Sequence, residues 1–249
     1  MSNPIIHAFD FDGVICDSAV ETAITGWKAA GRIWPDMQTA MPETLIDSFR
    51  RIRPIIETGY EAILAMRMLQ QGDTIGDIYN GYTDRTQTLL QQAQVSTDDL
   101  KLLFGDTRDQ WIAENRDEWI AMNPLFPGVA KKLHALEADS WYIVTTKQER
   151  FVSKILRAND IKLADERIFG LDRNMSKPAV LTGLLAQHTG QNMHFLEDRL
   201  PALKSVQQQP GLKPVKLLFA LWGYNTREDK AEVAAQRDIV GLNLEGFLN

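Results

Sequence analysis

Cysteine is nearly absent from this 249-residue chain, where Cys16 stands alone. No intramolecular disulfide can form, so the sequence does not belong with small secreted scaffolds held by bridges, and a reducing compartment suits it. Positive charge is also in deficit, with 27 basic against 33 acidic residues and a net charge of −6. Without a long-range positive field, general binding to nucleic acid or to an anionic membrane is not expected. Small molecules are the expected partners, and an anionic one must be attracted by local cations or a metal. Long apolar runs are missing as well: Leu217 to Trp222 falls well short of the ~20 residues that cross a bilayer. No basic leader precedes the apolar stretch Ile5 to Phe9, which Asp10 and Asp12 follow at once. A signal peptide is therefore not expected, and a soluble, cytoplasmic protein, monomer or homodimer, is. Internal repeats and low-complexity segments are likewise absent.

What is present is an alternation of short apolar runs with helical patterns over the second half of the chain, which points to a parallel sheet covered by helices. Strands are expected at Ile5 to Asp10, Trp141 to Thr145, Arg167 to Leu171, Met193 to Glu197 and Val215 to Leu221, with a weaker sixth at Asp238 to Leu242. Helices are expected from Val129 to Ala138, Glu149 to Ala158 and Lys177 to Gln187, the last with Ser176 placed to cap it and Pro178 in its first turn. The stretch from about Ala19 to Asn123 differs, offering helical periodicity and almost no β-type run. Tyr60, Ile63, Leu64, Met68 and Leu69 form an apolar stripe at helical spacing with Gly72 as its stop, and Trp111, Ile112, Trp119 and Ile120 repeat the behaviour. Pro124, Pro127 and Gly128 punctuate the return. The expected architecture is a Rossmann-like α/β core of residues 1–18 and 124–249, with an all-helical cap of residues 19–123 inserted after the first strand. Open parallel sheets bind ligands at the carboxyl ends of their strands, so chemistry is sought in the residues that end each strand.

The first strand ends in Asp10-Phe11-Asp12-Gly13-Val14, two carboxylates and a flexible glycine. Alone, Asp-x-Asp-Gly is as often an ordinary turn. A calcium-binding EF-hand loop also begins this way, but Val14 stands at its third ligand position and Ile15 at its glycine position, which excludes that reading. The other strand ends shift the balance. Ile143-Val144-Thr145-Thr146-Lys147 offers hydroxyls and backbone donors able to hold phosphate oxygens. Lys177 opens a helix, where its ammonium adds to the positive end of the helix dipole; in isolation it would read as a solvated surface lysine. Phe195-Leu196-Glu197-Asp198 adds two more carboxylates.

Taken in order, Asp10-Phe11-Asp12-Gly13-Val14, Thr145, Lys177-Pro178 and Glu197-Asp198 resemble the four motifs of the haloacid dehalogenase superfamily. The resemblance covers essentially the whole α/β part, and the insertion after the first motif is similar to that family's helical cap. It implies a magnesium-dependent (Mg2+) phosphatase acting on a small phosphorylated metabolite through an aspartyl-phosphate. On that resemblance Asp10 would be the nucleophile and Asp12 the acid/base. Phe11, Asp12, Gly13, Thr145, Thr146 and Lys177 would hold the phosphate, with Thr145 and Lys177 catalytic in offsetting its charge. Asp10, Asp198 and the Asp12 carbonyl would hold Mg2+ directly, and Glu197 through a water. The sequence departs from many relatives, which end the fourth motif in Gly-Asp with a second aspartate four residues later. Here the pair is Glu197-Asp198 and the later position is Ala202. A simple pairing of Glu197 with Arg199 is the alternative for that residue.

Within the superfamily an acid two residues after the nucleophile suits phosphoryl transfer, so Asp12 argues against cleavage of carbon–halogen or carbon–phosphorus bonds. A phosphomutase, which keeps both aspartates, stays open as an alternative, as does a catalytically silent binding or regulatory protein of the same fold. Leu221-Trp222-Gly223-Tyr224 resembles the end of strand five in phosphoglycolate phosphatases, with ordinary packing as the other reading of Trp222 and Tyr224. In the helical insertion, Arg50, Arg51 and Arg53 form the densest positive cluster, suited to carboxylate or phosphate recognition or to a solvated helix face. Trp27, Trp34 and Tyr82 are placed either to line a pocket or to pack the insertion's own core.

Overall fold

Strand β1 (Ile5–Phe9) is followed by a run of five helices with no strand among them: α1 (Ala19–Ala30), α2 (Thr44–Ile52), α3 (Glu61–Gln70), α4 (Ile75–Ala93) and α5 (Thr97–Ala121). The chain then alternates through α6 (Val129–Ala135), β2 (Trp141–Val144), α7 (Glu149–Ala158), β3 (Ile168–Phe169), α8 (Lys177–Gln187), β4 (Asn192–Glu197) and α9 (Leu200–Gln207). It ends with β5 (Val215–Ala220), α10 (Arg227–Ala234), β6 (Ile239–Leu242) and α11 (Leu244–Leu248). The computed structural model describes residues 4–137 and 140–249, so the expected helix end at Ala138 lies outside the described residues. Two compact units emerge, Met1–Asp17 with Pro124–Asn249, and Ser18–Asn123. Among the described residues no helix is long and apolar enough to cross a membrane.

The first unit is a six-stranded sheet in the order β3-β2-β1-β4-β5-β6, parallel throughout. All four residues of β2 are buried, and β1 and β4 bury their last two and three residues, as sheet faces covered on both sides require. On one face Ile6, Ala8, Val144, Phe195 and Leu217 pack with Val180 and Leu181 of α8 and with Leu200 and Leu203 of α9. Phe9, of opposite parity, meets Phe247 edge-on at 5.6 Å, and Phe247 stacks on Trp222 at 5.5 Å. Helix α8 begins where expected, with the Ser176 hydroxyl accepting the Ala179 N–H at 3.3 Å and Pro178 in the first turn.

Strand β3 is shorter than the expected Arg167 to Leu171, and the reason is local. The Glu149 carboxylate accepts the N–H groups of Gly170 (2.9 Å) and Asp172 (3.1 Å), drawing the backbone out of the ladder. The Leu171 N–H then donates to the Lys147 carbonyl at 3.2 Å. The chain runs outward through β1, β2 and β3 to one side and returns through β4, β5 and β6 on the other. The topological switch point therefore lies between β1 and β4, where an open α/β sheet offers a crevice at its carboxyl edge.

The second unit packs four helices, α1, α2, α4 and α5, about α3. The expected stripe on that helix is too narrow: Ala62, Ala65 and Met66 are buried along with Ile63, Leu64, Met68 and Leu69, because α3 meets α1 on one side and α2, α4 and α5 on others. Gly26 permits the closest approach, since a Cβ there would lie 2.7 Å from the Ala62 carbonyl oxygen. Past the end of α3, Gly72 takes a left-handed conformation (φ +89°), with Gly72 N–H bound to Leu69 and Asp73 N–H to Met68, the paired bonds of a Schellman stop. Trp27, Trp34 and Tyr82 pack in this helical core. The three arginines do not form one cluster: Arg50 and Arg51 are exposed, whereas Arg53 is buried and donates to the Ile56 carbonyl at 2.9 Å.

At the centre of this unit lies a buried carboxylate. Glu21 on α1 accepts two bonds from the Arg108 guanidinium (2.8 and 2.6 Å), one from the Trp119 indole (3.0 Å) and one from Thr25 (2.7 Å). Glu21 and Arg108 are 0% and 3% exposed. Removing one partner of such a pair leaves an uncompensated buried charge. Glu21→Ala in the full chain is therefore expected to destabilise this unit by about 3–5 kcal/mol. Urea unfolding followed by far-UV circular dichroism measures it, and an unchanged midpoint would show that the pair contributes nothing net.

Candidate active site

The register of β1 on β4 sets Phe9 opposite Leu196, and the Asp10 N–H donates to the Leu196 carbonyl at 2.9 Å. Asp10 and Glu197 thus leave adjacent strands at the same level, beside the switch point. Between them stands Lys177, first residue of α8, its Nζ 2.7 Å from Asp10 Oδ1 and 2.5 Å from Glu197 Oε2. A third buried carboxylate follows at once: Asp10, Glu197 and Asp198 each present an oxygen within 4.8 Å of the others.

Charge is therefore unbalanced in a buried group. Burial first, and then repulsion from Glu197, push the Asp10 carboxyl up to about 6 from an ordinary 3.8, against the opposing pull of Lys177. Burial alone would lower the Lys177 ammonium, but Asp10 and Glu197 together outweigh it and hold it above the usual lysine range. One ammonium cannot neutralise three carboxylates. A surplus of hard oxygen donors in one buried group is the chemistry of a Mg2+ or Ca2+ site, so these residues fit a divalent cation. The loops around Asp198 close because two glycines allow it. A Cβ at Gly13 (φ +89°) would lie 2.1 Å from Asp198 Oδ2, and one at Gly223 would lie 2.3 Å from the Asp198 Cβ.

Asp12 meets a second ammonium. Lys147 Nζ is 3.0 Å from Asp12 Oδ1 and 3.4 Å from Oδ2, with side-chain exposures of 1% for Lys147 and 16% for Asp12. The Lys147 N–H donates to the Thr145 hydroxyl at 3.2 Å, while the Thr145 N–H donates to the Phe169 carbonyl at 2.8 Å. Thr145 is buried and Thr146 half-buried. The Asp10 loop is closed by its own bonds: the Phe11 carbonyl accepts the N–H groups of Ile15 and Cys16 at 2.9 Å each, and the Gly13 N–H donates to the Cys16 carbonyl at 2.9 Å. The Gly13 amide is thus engaged within the loop, and what Gly13 contributes is its left-handed turn and its closeness to Asp198.

Glu197 has both oxygens in use. Oε2 holds Lys177, and Oε1 accepts the N–H groups of Asp198 (3.1 Å) and Arg199 (3.0 Å), so it meets Arg199 through the backbone. Sequence reasoning missed two features. Lys147 is one, although a lysine directly after the hydroxyls of a strand end was a signal that it faces the same edge. The bonds that the segment after β5 makes are the other, although the sequence itself singles that segment out. The Tyr224 N–H donates to Asp198 Oδ2 at 2.5 Å and its phenol to Asp17 at 2.7 Å, the Trp222 indole donates to the Val14 carbonyl at 3.1 Å, and the Asn225 amide donates to the Asp198 carbonyl at 3.3 Å. Trp222 and Tyr224 therefore fasten the first-strand loop and Asp198 to each other.

No protein-family model and no curated protein matches the sequence. Solved structures do match its fold over nearly the whole chain. A predicted phosphoglycolate phosphatase from Haemophilus somnus is 17% identical, with a TM-score of 0.61 over 97% of this chain and 95% of its own. A predicted phosphatase from Clostridium acetobutylicum is 14% identical, with a TM-score of 0.60 over 100% and 97%. A haloacid dehalogenase-like hydrolase from Streptococcus pneumoniae is 17% identical, with a TM-score of 0.57 over 96% and 93%. With a six-stranded parallel sheet, a helical unit inserted after its first strand and this full-length likeness, the chain has the fold of the haloacid dehalogenase-like hydrolases.

Proposed function

We propose that the protein is a Mg2+-dependent phosphatase that hydrolyses a small phosphorylated metabolite through a covalent intermediate on Asp10. The observation that carries this reading is the placement of Asp10, buried at the switch point, against the Lys177 ammonium and beside Asp198. A carboxylate so placed is aimed, partly desolvated and provided with a counter-charge, as a nucleophile toward phosphorus needs to be. The four motifs and the fold shared with phosphatases support it further.

An Asp10 carboxylate oxygen attacks phosphorus, the bond from phosphorus to the substrate oxygen breaks, and Asp12 gives its proton to that departing oxygen. Asp12 then takes a proton from water as the water attacks phosphorus, which frees inorganic phosphate and restores Asp10. Lys177 offsets charge on the transferring group throughout, and the Thr145 hydroxyl with the backbone of Phe11, Asp12 and Thr146 holds its oxygens. Asp10, Asp198 and the Asp12 carbonyl would hold Mg2+, with Glu197 anchoring Lys177 and the Asp198 turn. When bound, the ion neutralises the phosphate and the surplus carboxylate charge. Specificity is assigned to the helical unit, which the chain inserts directly after the Asp10 loop. Phosphoglycolate is one substrate to test, on the Trp222-Gly223-Tyr224 likeness.

Hydrolysis of p-nitrophenyl phosphate and of a panel of small phosphorylated metabolites is expected to require Mg2+. It should fall to background in Asp10→Asn and by roughly 10²- to 10⁴-fold in Asp12→Asn. If the wild type with Mg2+ releases phosphate from no substrate, the phosphatase reading is wrong and a phosphomutase or a silent binding protein takes its place. Mg2+-dependent trapping of beryllium trifluoride, a phosphate mimic, separates those two, since only an intact site binds it.

Metal binding has its own readout. Mg2+ at about a hundred times its dissociation constant stabilises a protein by about 2.7 kcal/mol, so the melting temperature should rise with added Mg2+. Asp198→Asn should abolish most of that rise. An equal rise in the wild type and the variant would place the ion elsewhere.

A further inference from the structure

The roles assigned above leave one buried cation at the strand ends, Lys147, without a part in the chemistry. Lys147 has a side chain only 1% exposed, although lysine ordinarily keeps its ammonium in water and is costly to bury unless paired. Its backbone is pinned from both directions: the N–H by the Thr145 hydroxyl, the carbonyl by the Leu171 N–H. Gly170 is pressed so closely on that carbonyl that a Cβ there would lie 2.3 Å from it. The side chain therefore leaves a fixed point, and it ends on both oxygens of Asp12. Lys177 is meanwhile committed to Asp10 and Glu197. The two ammonium groups thus divide the site, one on the attacking carboxylate and one on the proton carrier.

We propose that Lys147 is a positioning residue for the acid/base, directing the Asp12 carboxyl and stabilising the carboxylate that forms there as its proton leaves. The inference rests on the phosphatase reading. In the first half-reaction the Asp10 oxygen bonds to phosphorus and the phosphorus–oxygen bond to the leaving group breaks. The electron pair of that bond stays on the leaving oxygen and takes up the Asp12 proton. Negative charge then appears on Asp12, where the Lys147 ammonium already stands. A fixed cation that meets charge developing in the transition state accelerates the step without reorganising at that moment. The benefit grows with the need for the proton. A weakly acidic leaving phenol depends on it strongly, whereas p-nitrophenolate departs nearly unaided.

The test is kcat/KM, which reports the steps through departure of the leaving group. It is measured with Mg2+ on p-nitrophenyl and p-methylphenyl phosphate, two probes of similar shape and unlike leaving groups. Lys147→Met is expected to lower the p-nitrophenyl value by less than about threefold and the p-methylphenyl value by about thirtyfold, within the range of general acid catalysis. Lys147→Arg, which keeps the charge, should retain most of the p-methylphenyl rate. Equal losses on both probes, or no loss on either, overturn the proposal and leave Lys147 a structural residue. Should Lys147→Met fail to fold by circular dichroism, Gly170→Ala decides instead. It displaces the Lys147 carbonyl while leaving the ammonium in the chain, and it must again slow the p-methylphenyl reaction more than the p-nitrophenyl one. A wild type that hydrolyses neither probe removes the phosphatase reading and this proposal together. A wild type that hydrolyses both, with parallel losses in the variants, removes this proposal alone.

Discussion

The ammonium of Lys177, shared between Asp10 and Glu197, is the interaction on which the site's arrangement depends. Three carboxylates would not come together at the end of a buried sheet unaided, because each lost hydration shell must be replaced by a partner. Lys177 replaces part of it, and its position is set by ordinary means. Ser176 caps α8, Pro178 fixes the first turn, and the parallel register of β1 and β4 brings the two strand ends level. The carboxylates remain in excess even so, which is why the Asp10 carboxyl is pushed up to about 6. An imbalance of this kind is a poor way to stabilise a fold. On the proposed function, it is understandable as a site that a cation and a phosphoryl group complete.

The helical unit treats a buried carboxylate differently. Glu21 is as deeply buried as Glu197, but four donated hydrogen bonds from Arg108, Trp119 and Thr25 satisfy it. Charge and hydrogen bonding are closed there, so nothing in that group invites a ligand. The two sites separate a structural ion pair from the proposed functional one by the same criterion: whether the partners already present exhaust the charge.

Much of this was legible in the sequence because strand ends in a parallel sheet are marked twice, by the apolar run before them and by the polar residues after. Asp10, Thr145 and Glu197-Asp198 were each read in that way, Lys177 as the opening of a helix, and the helical stretch between β1 and α6 was visible from its period. Strand and helix limits moved by a residue or more where a side chain competes for the backbone, as Glu149 does beyond β3. The apolar stripe on α3 was read too narrowly because periodicity shows one buried face and cannot show that a second layer covers the other. Arg53 joined a supposed surface cluster for a similar reason: nothing in a run of arginines tells which one turns inward to a carbonyl. Lys147 escaped notice because its significance lies in a partner 135 residues away in the chain.

The departure at the fourth strand end also has a physical reading. Ala202, within α9, offers no carboxylate where many relatives of the fold carry one, so support for Asp198 must come from elsewhere. It comes from the loop after β5. The Tyr224 N–H and the Asn225 amide hold Asp198 at its carboxylate and its carbonyl, and Glu197 binds the Asp198 N–H. The same loop reaches the first strand through Tyr224 to Asp17 and Trp222 to Val14. Asp198 is thereby fixed by backbone and neutral donors. That arrangement orients it without adding another negative charge to a site that already has a surplus. The weak likeness at Leu221-Trp222-Gly223-Tyr224 thus gains a mechanical meaning, since this short segment ties two of the strand ends that the proposed chemistry requires.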